Sequence, residues 1–176
     1  MIMRPGQQLL LPANPVFIWV SLFVSFFFNI FQNLVLWGRA AWAPDLVALV
    51  LVFWAVHQPR RVGIAVAFFF GLLMDVHEGS VLGQHAMAYS VLNYLAVAVH
   101  RRLLWFPVPL QAVQVFPLML SAHAVSMIVR LLVGNAFFSY SVVLAPVLEA
   151  LLWPVVSVIL LIPQTRSPDP DANRPL

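Results

Sequence analysis

The segment GLLMDVHEGSVLGQHA, residues 71–86, joins two apolar runs of the chain. It holds two carboxylates, two histidines and three glycines, although only 9% of the 176 residues are charged. Such a combination is typical of a turn, a binding pocket or a catalytic site. Which of these it forms depends on the class of protein that the whole composition indicates.

The composition is that of an integral membrane protein. Hydrophobic residues make up 62% of the chain, whereas soluble domains have roughly 45–50% apolar and about 25% charged residues. A soluble core of this length would leave much of that apolar surface in water. The absence of cysteine excludes disulfides, thiolate catalysis and cysteine metal sites. The few basic residues, all arginine, form no patch with interleaved aromatic residues, so nucleic acid is not an expected partner.

Six apolar segments predict six membrane crossings. They cover approximately residues 16–37, 43–57, 61–75, 81–99, 110–129 and 142–162. A helix needs about 20 residues to cross a bilayer, so the second and third segments are either short tilted spans or one re-entrant hairpin. The hairpin would place Arg60 and Arg61 near the bilayer centre at about 2.5–3.5 kcal/mol each, whereas a short span costs only fractions of a kcal/mol per Å. We therefore predict one all-α membrane domain, residues 1–162, that forms a six-helix bundle. The polar tail, residues 163–176, is predicted to be disordered.

The placement of arginine predicts the orientation of this bundle, because cytoplasmic loops of membrane proteins carry the excess of arginine. With the N-terminus inside, seven arginines are cytoplasmic, namely Arg4, Arg60, Arg61, Arg101, Arg102, Arg166 and Arg174. Only Arg39 and Arg130 are then outside. We predict that both termini are cytoplasmic, that the two central arginine pairs determine this topology, and that residues 71–86 face outward.

Small residues recur every four positions at Gly63, Ala67 and Gly71. Small residues let membrane helices approach closely, so this face of the third helix is predicted to pack within the same bundle, or alternatively against the helix of a partner. Asp75, Gly79 and Gly83 continue the same region. All six residues are therefore candidates for a partner interface.

Polar side chains at helical spacing predict a polar centre in the bundle. They are Ser21, Ser25, Asn29 and Asn33 in the first span and His85, Tyr89 and Asn93 in the fourth. Lipid offers no hydrogen-bond partner, so these side chains should face one another or a cavity.

Three ionisable residues in the outer half, Asp75, Arg130 and Glu149, are predicted to form an ion-pair network. Intramembrane charges commonly have a function, so the favoured interpretation, a neutralised packing network, has two alternatives. One is a pathway for protons or a substrate, and the other is contact with a periplasmic partner. The sequence does not indicate which carboxylate pairs with Arg130.

Candidate metal ligands by residue type are Asp75, His77, Glu78 and His85, but their spacing matches no zinc motif. No nucleophile elbow or phosphate-binding loop is present in the sequence. We predict no catalytic residue, no metal and no cofactor, while a hydrolase assembled from distant spans stays open as an alternative.

Several short motifs follow one another in a fixed order through residues 43–95, and LLWP follows at residues 151–154. The first is a proline–acid helix entry at Pro44 and Asp45, and the second is an aromatic pair at Phe53 and Trp54. A Pro-x-Arg turn follows at Pro59 and Arg61. The last is a run of the form G-x-x-x-D-x-x-x-G-x-x-x-G, formed by Gly71, Asp75, Gly79 and Gly83. In this order and spacing they resemble the family of the rod shape-determining protein MreD.

The resemblance implies a multi-pass protein of the bacterial inner membrane that belongs to the rod complex, or elongasome. It implies direct binding of MreC, with MreB, RodZ, RodA and its transpeptidase as further members of the complex. It also implies a fold similar to the S components of energy-coupling-factor transporters.

Two functions are therefore considered. The first is a non-enzymatic scaffold that binds MreC and helps to organise lateral peptidoglycan synthesis and rod cell shape. The second is a small-molecule-binding or transport component whose outward polar pocket contains Asn29, His85, Tyr89, Asn93 and Glu149.

Overall fold

The structure is a computed structural model that describes residues 14–36, 42–134 and 141–164. These residues form six α-helices and no strand, so the predicted all-α architecture is confirmed. The helices are α1 (Pro15–Phe31), α2 (Leu46–His57), α3 (Ile64–Glu78), α4 (Gln84–Leu104), α5 (Val108–Leu132) and α6 (Ser141–Leu161). A π-helical turn, Gln32–Leu36, extends α1, and a 3-10 turn, Ile162–Gln164, follows α6.

Part of the sequence-based prediction falls on residues that the structure does not describe. Residues 165–176 of the predicted disordered tail lie outside the described residues. The same holds for four of the arginines used to predict the orientation, namely Arg4, Arg39, Arg166 and Arg174.

Three helical segments are long and apolar enough to cross a membrane, and they are Pro15–Val35, Val108–Leu132 and Val143–Gln164. The chain is therefore a membrane protein. Helix α2 is apolar but has only 12 residues, or about 18 Å at 1.5 Å per residue, against a hydrocarbon core of about 30 Å. Crossing by all six helices stays a prediction.

The short helix α2 lies at the centre of the bundle. Every residue from Val47 to Val56 is buried, as expected for a helix that is apolar on all sides. It packs against α1, α4 and α6. The Trp54 indole donates a hydrogen bond to Ser21 Oγ of α1 at 2.8 Å, so one polar residue of the first-span stripe faces the bundle interior.

The bundle has two chemically different ends. The N-terminus of α2 and the turn between α3 and α4 lie at one of them, which we call the acidic end because it holds all four carboxylates of the described residues, Asp45, Asp75, Glu78 and Glu149. The opposite end, which we call the arginine end, holds the turn between α2 and α3 and the C-terminus of α4. Arg60, Arg61, Arg101 and Arg102 are exposed there.

Helices α3 and α4 form a tight antiparallel pair that depends on glycine. A Cβ atom on Gly71 would lie 2.4 Å from Ala86 Cα and 2.7 Å from the carbonyl carbon of His85. The turn between the helices begins at Gly79 and ends at Gly83, which have φ angles of 62° and 98°. Residues with a side chain rarely adopt such angles, so the glycines of this segment have a structural role.

The sequence left two packing arrangements open for the small-residue face of α3, and the structure has the favoured one, packing within the same bundle. Ala67, Gly71 and Asp75 are buried there, so these three candidate interface residues do not lie on a surface open to a partner. The face is occupied because α4 already packs on it. Of the other three candidates, Gly63 is half-buried and Gly79 and Gly83 belong to the turn.

Replacing Gly71 with alanine should destabilise the protein by about 1–3 kcal/mol, because the new methyl group meets backbone atoms of α4 that cannot rotate away. The matched control is Gly63→Ala, where a Cβ atom meets nothing within 4 Å. Thermal unfolding of the purified proteins in detergent measures the difference. Equal stability of the two variants would show that α3 and α4 are farther apart than this packing requires.

Candidate functional site: a polar cavity at the acidic end

The carboxylate of Asp45 connects three helices at the acidic end. Its Oδ1 accepts hydrogen bonds from the backbone N–H groups of Val47 and Ala48 at 3.0 and 3.1 Å, and so caps the N-terminus of α2. The same oxygen accepts a bond from Asn29 Nδ2 of α1 at 2.9 Å. Its Oδ2 accepts a short hydrogen bond from the Tyr89 hydroxyl of α4. A carboxylate that is largely removed from water must be paired or hydrogen-bonded, and these donors satisfy the partly buried Asp45.

Glu149 extends this connection to α5 and α6. Its side chain is fully buried, and its Oε1 accepts a hydrogen bond from the Asp45 backbone N–H at 2.9 Å. Nε2 of His123 lies 3.0 and 3.2 Å from its two carboxylate oxygens. Asp45 and Glu149 together therefore join α1, α2, α4, α5 and α6.

Asp75 performs the equivalent role for α3 and α4. Its Oδ2 accepts a bond from the Gly83 backbone N–H at 2.8 Å, and its Oδ1 accepts one from the His85 backbone N–H at 2.8 Å. Oδ1 also lies 2.9 Å from Ser80 Oγ and from His85 Nδ1. Since helix N-termini leave N–H groups unsatisfied, a carboxylate at this place stabilises the start of α4.

A cavity of about 440 Å³ lies over the N-terminus of α2. Its walls come from α1, α3, α4 and α5, and its ionisable lining residues are Asp45, Glu78, His85, Tyr89, His123 and Arg130. Binding pockets for small molecules measure roughly 300–1,000 Å³. The cavity is thus large enough for a small ligand. It lies above the first residue of the short helix α2, where the longer neighbouring helices continue beyond α2.

The structure brings most of the predicted polar centre together. Asn29, His85 and Tyr89 line the cavity, and Glu149 lies directly behind His123. Asn93 does not take part, because its amide donates to the Gly63 carbonyl oxygen at 2.9 Å, away from the cavity.

The predicted ion pairs of Arg130 are absent among the described residues. Asp75 and Glu149 each have a histidine as partner, His85 at 2.9 Å and His123 at 3.0 Å. Arg130 lines the cavity but lies within ion-pair distance of neither carboxylate. The hydrogen bonds of Asp75 go instead to the turn between α3 and α4 and to the start of α4.

The sequence-based reasoning missed His123 and used Asp45 only as part of a motif. A signal for His123 was present, since His123, Ser126, Met127 and Arg130 have the spacing of one helical face. All four line the cavity. The contact of Asp45 with Glu149, 104 positions away, had no local signal.

The four candidate metal ligands by residue type do not converge. The ring of His77 packs near Phe26 of α1, with centroids 6.5 Å apart, whereas Asp75, Glu78 and His85 form their own cluster. In the part of the chain that the structure describes, no group of three or more such side chains is arranged to hold a metal ion.

Fold and site together define a helical membrane protein with a polar, ionisable cavity at one end of its bundle. The chain belongs to the rod shape-determining protein MreD family, whose sequence model matches residues 13–164. A rod shape-determining protein MreD of Haemophilus influenzae is 30% identical over 148 residues, which are 81% of this chain and 89% of that relative. No solved structure matches the chain. Family membership supports a role in the determination of rod cell shape.

Tyr89→Phe should lower the free energy of unfolding by about 1–3 kcal/mol, because the buried Tyr89 hydroxyl donates to the partly buried carboxylate of Asp45 and the variant removes this donor. The matched control is Tyr94→Phe, since Tyr94 lies on the same helix but is 62% exposed. Unfolding of both variants in the same detergent gives the comparison. A Tyr89 variant as stable as the Tyr94 variant would contradict the importance of this hydrogen bond.

Proposed function

We propose that the protein is a non-enzymatic scaffold of the rod complex in the bacterial inner membrane, where it binds MreC and helps to organise lateral peptidoglycan synthesis. The observation on which this rests is the family match over residues 13–164. MreB, RodZ, RodA and its transpeptidase are the expected further members of the complex. A scaffold needs no reacting group, and the hydrogen bonds of the acidic end account structurally for Asp45, Asp75 and Glu149.

We further propose that all six helices cross the membrane and that the acidic end faces the periplasm. The distribution of charge supports this orientation, because Arg60, Arg61, Arg101 and Arg102 are exposed at the opposite end, and positive residues favour the cytoplasm. Trp105, which is 88% exposed beside them, is a residue type enriched at membrane–water interfaces. Short spans at α2 and α3 agree with this topology because local thinning of the bilayer costs little.

For the docking of MreC we propose the outward face of α1. The small-residue face of α3 is already used inside the bundle, so a partner helix must pack elsewhere. Helix α1 packs mainly on α2, and its other side exposes the apolar side chains Val16, Val20, Val24, Phe27, Phe28 and Phe31. This aromatic and aliphatic surface offers van der Waals contact to a transmembrane helix.

A second candidate function follows from the cavity. A scaffold alone does not require a polar space of about 440 Å³ inside the bundle. Such a space with convergent polar groups is typical of a ligand site. Binding of a small molecule at the acidic end is therefore the alternative, and it is compatible with membership of a complex.

The absence of cysteine from the chain allows a direct test of the topology. Single variants Leu82→Cys and Trp105→Cys place a thiol at exposed positions of opposite ends, 72% and 88% exposed. A membrane-impermeant maleimide should label the first variant in intact spheroplasts and the second only after permeabilisation. The reverse pattern would exclude the proposed orientation.

Val24→Trp should reduce the amount of co-purified MreC several-fold, because the larger ring prevents close packing on α1. The control is Val155→Trp, since Val155 is a similarly exposed valine on α6, 54% against 61%. The amount of each variant in the membrane fraction shows whether insertion is unaffected. Loss of MreC only with the Val155 variant would move the docking face to α6, and normal recovery with both would reject docking on either helix.

A further inference from the structure

The polar residues that line the cavity fall into two sets. Those of the first set already form hydrogen bonds with other residues of the chain. Both carboxylate oxygens of Asp45 accept hydrogen bonds from Asn29, Tyr89 and the backbone of α2. The two histidines are also engaged, His85 with Asp75 and His123 with Glu149. These residues shape the cavity but have little remaining capacity for a ligand.

The second set, Arg130, Gln84 and Glu78, can still form hydrogen bonds with a ligand. Arg130 lines the cavity, and no hydrogen bond or ion pair links it to another described residue. Gln84 also lines the cavity, is 1% exposed, and its Nε2 has no partner among the described residues. A buried donor without an acceptor is unfavourable, so an acceptor that enters the cavity would stabilise this amide.

The free acceptor of the second set is Glu78. Its side chain is 25% exposed, and its ion-pair contact within the described part of the chain is a long one, 3.4 Å from Oε2 to His85 Nε2. The lining therefore presents one guanidinium and one buried amide that have no acceptor among the described residues, and one carboxylate that can accept from a donor.

Charge then restricts the class of ligand. The lining has two carboxylates, Asp45 and Glu78, against the single arginine Arg130, and Glu149 lies just behind His123. A multiply charged anion would be repelled by these carboxylates, because buried charges are weakly screened. A simple cation would leave Arg130 and Gln84 without acceptors. A molecule with one group of each sign satisfies both sides.

We propose that the cavity binds a dipolar small molecule, with a carboxylate or phosphate group at Arg130 and Gln84 and a protonated amine at Glu78. This inference rests on the second candidate function, the binding of a small molecule at the acidic end. The volume of about 440 Å³ suits a ligand of this kind. Two sources offer the same chemistry, namely free amino acids or short peptides and the headgroup of a zwitterionic phospholipid.

The experiment measures the melting temperature of the purified full-length protein with three soluble probes. Glycylglycine carries both charges, N-acetylglycylglycine keeps only the anion, and glycylglycinamide keeps only the cation. Native mass spectrometry from nanodiscs of phosphatidylethanolamine or phosphatidylglycerol forms the lipid arm. We expect stabilisation by glycylglycine above both single-charge analogues if the source is soluble, and selective retention of phosphatidylethanolamine if the source is lipid.

Variants assign the binding to the two charged residues. Arg130→Gln and Glu78→Gln should each weaken binding of the effective probe by at least about tenfold, because each removes a charge-assisted hydrogen bond. Arg102→Gln makes the same change at an exposed position of the arginine end and should bind as the original protein does. Unchanged binding in both cavity variants would overturn the proposal.

The remaining outcomes distinguish failure of the proposed ligand class from failure of small-molecule binding in the cavity. Equal stabilisation by a single-charge analogue, or retention of a ligand that lacks one of the two charges, would overturn the dipolar class while small-molecule binding stands. If no probe shifts the melting temperature and neither lipid is selectively retained, both the class and the second candidate function are rejected. Recovery of MreC from the same preparations reports on the scaffold function independently.

Discussion

The acidic end depends on one constraint, which is that the central helix is too short for the bundle around it. Helix α2 has 12 residues, and its first N–H groups would remain unsatisfied inside the protein without an acceptor. Asp45 supplies that acceptor, but a partly buried carboxylate needs further donors in turn. Asn29 and Tyr89 provide them from α1 and α4. The space above the N-terminus of α2 forms the cavity. The capping of α2 by Asp45 and the candidate site therefore both result from the short length of α2.

The sequence predicts the fold well because membrane helices are specified by features that can be read along the chain. Six apolar segments correspond to the six described helices. The spacing of Gly63, Ala67 and Gly71 predicted a flat face on α3, and Gly71 does meet the backbone of α4. Gly79 and Gly83 lie in the segment that joins two predicted spans, and both have the positive φ angles of a turn. Each of these properties depends on residues that are close in the chain or that lie on consecutive helices.

The site was less predictable because its contacts join residues that are distant in the chain. Asp75 and Glu149 were expected to form an ion-pair network with Arg130. The structure instead pairs Asp75 with His85 and Glu149 with His123. His85 reaches Asp75 across a short turn, and His123 reaches Glu149 from a neighbouring helix. Only the three-dimensional packing of α5 on α6 decides the second of these pairs, and among the described residues Arg130 forms no ion pair with either carboxylate.

The scaffold and the ligand site need not be competing functions, because both involve α1. Asn29 near the end of α1 contacts Asp45 at the cavity floor, while the opposite face of the same helix is the surface that we propose for MreC. If a ligand binds better when Asn29 contacts Asp45, its binding favours one position of α1. If a partner helix packs best on α1 in that position, its docking favours the same position. Linkage requires that each would then increase the affinity for the other by the same factor. An arrangement of this kind would connect the proposed ligand site with the proposed docking surface through α1.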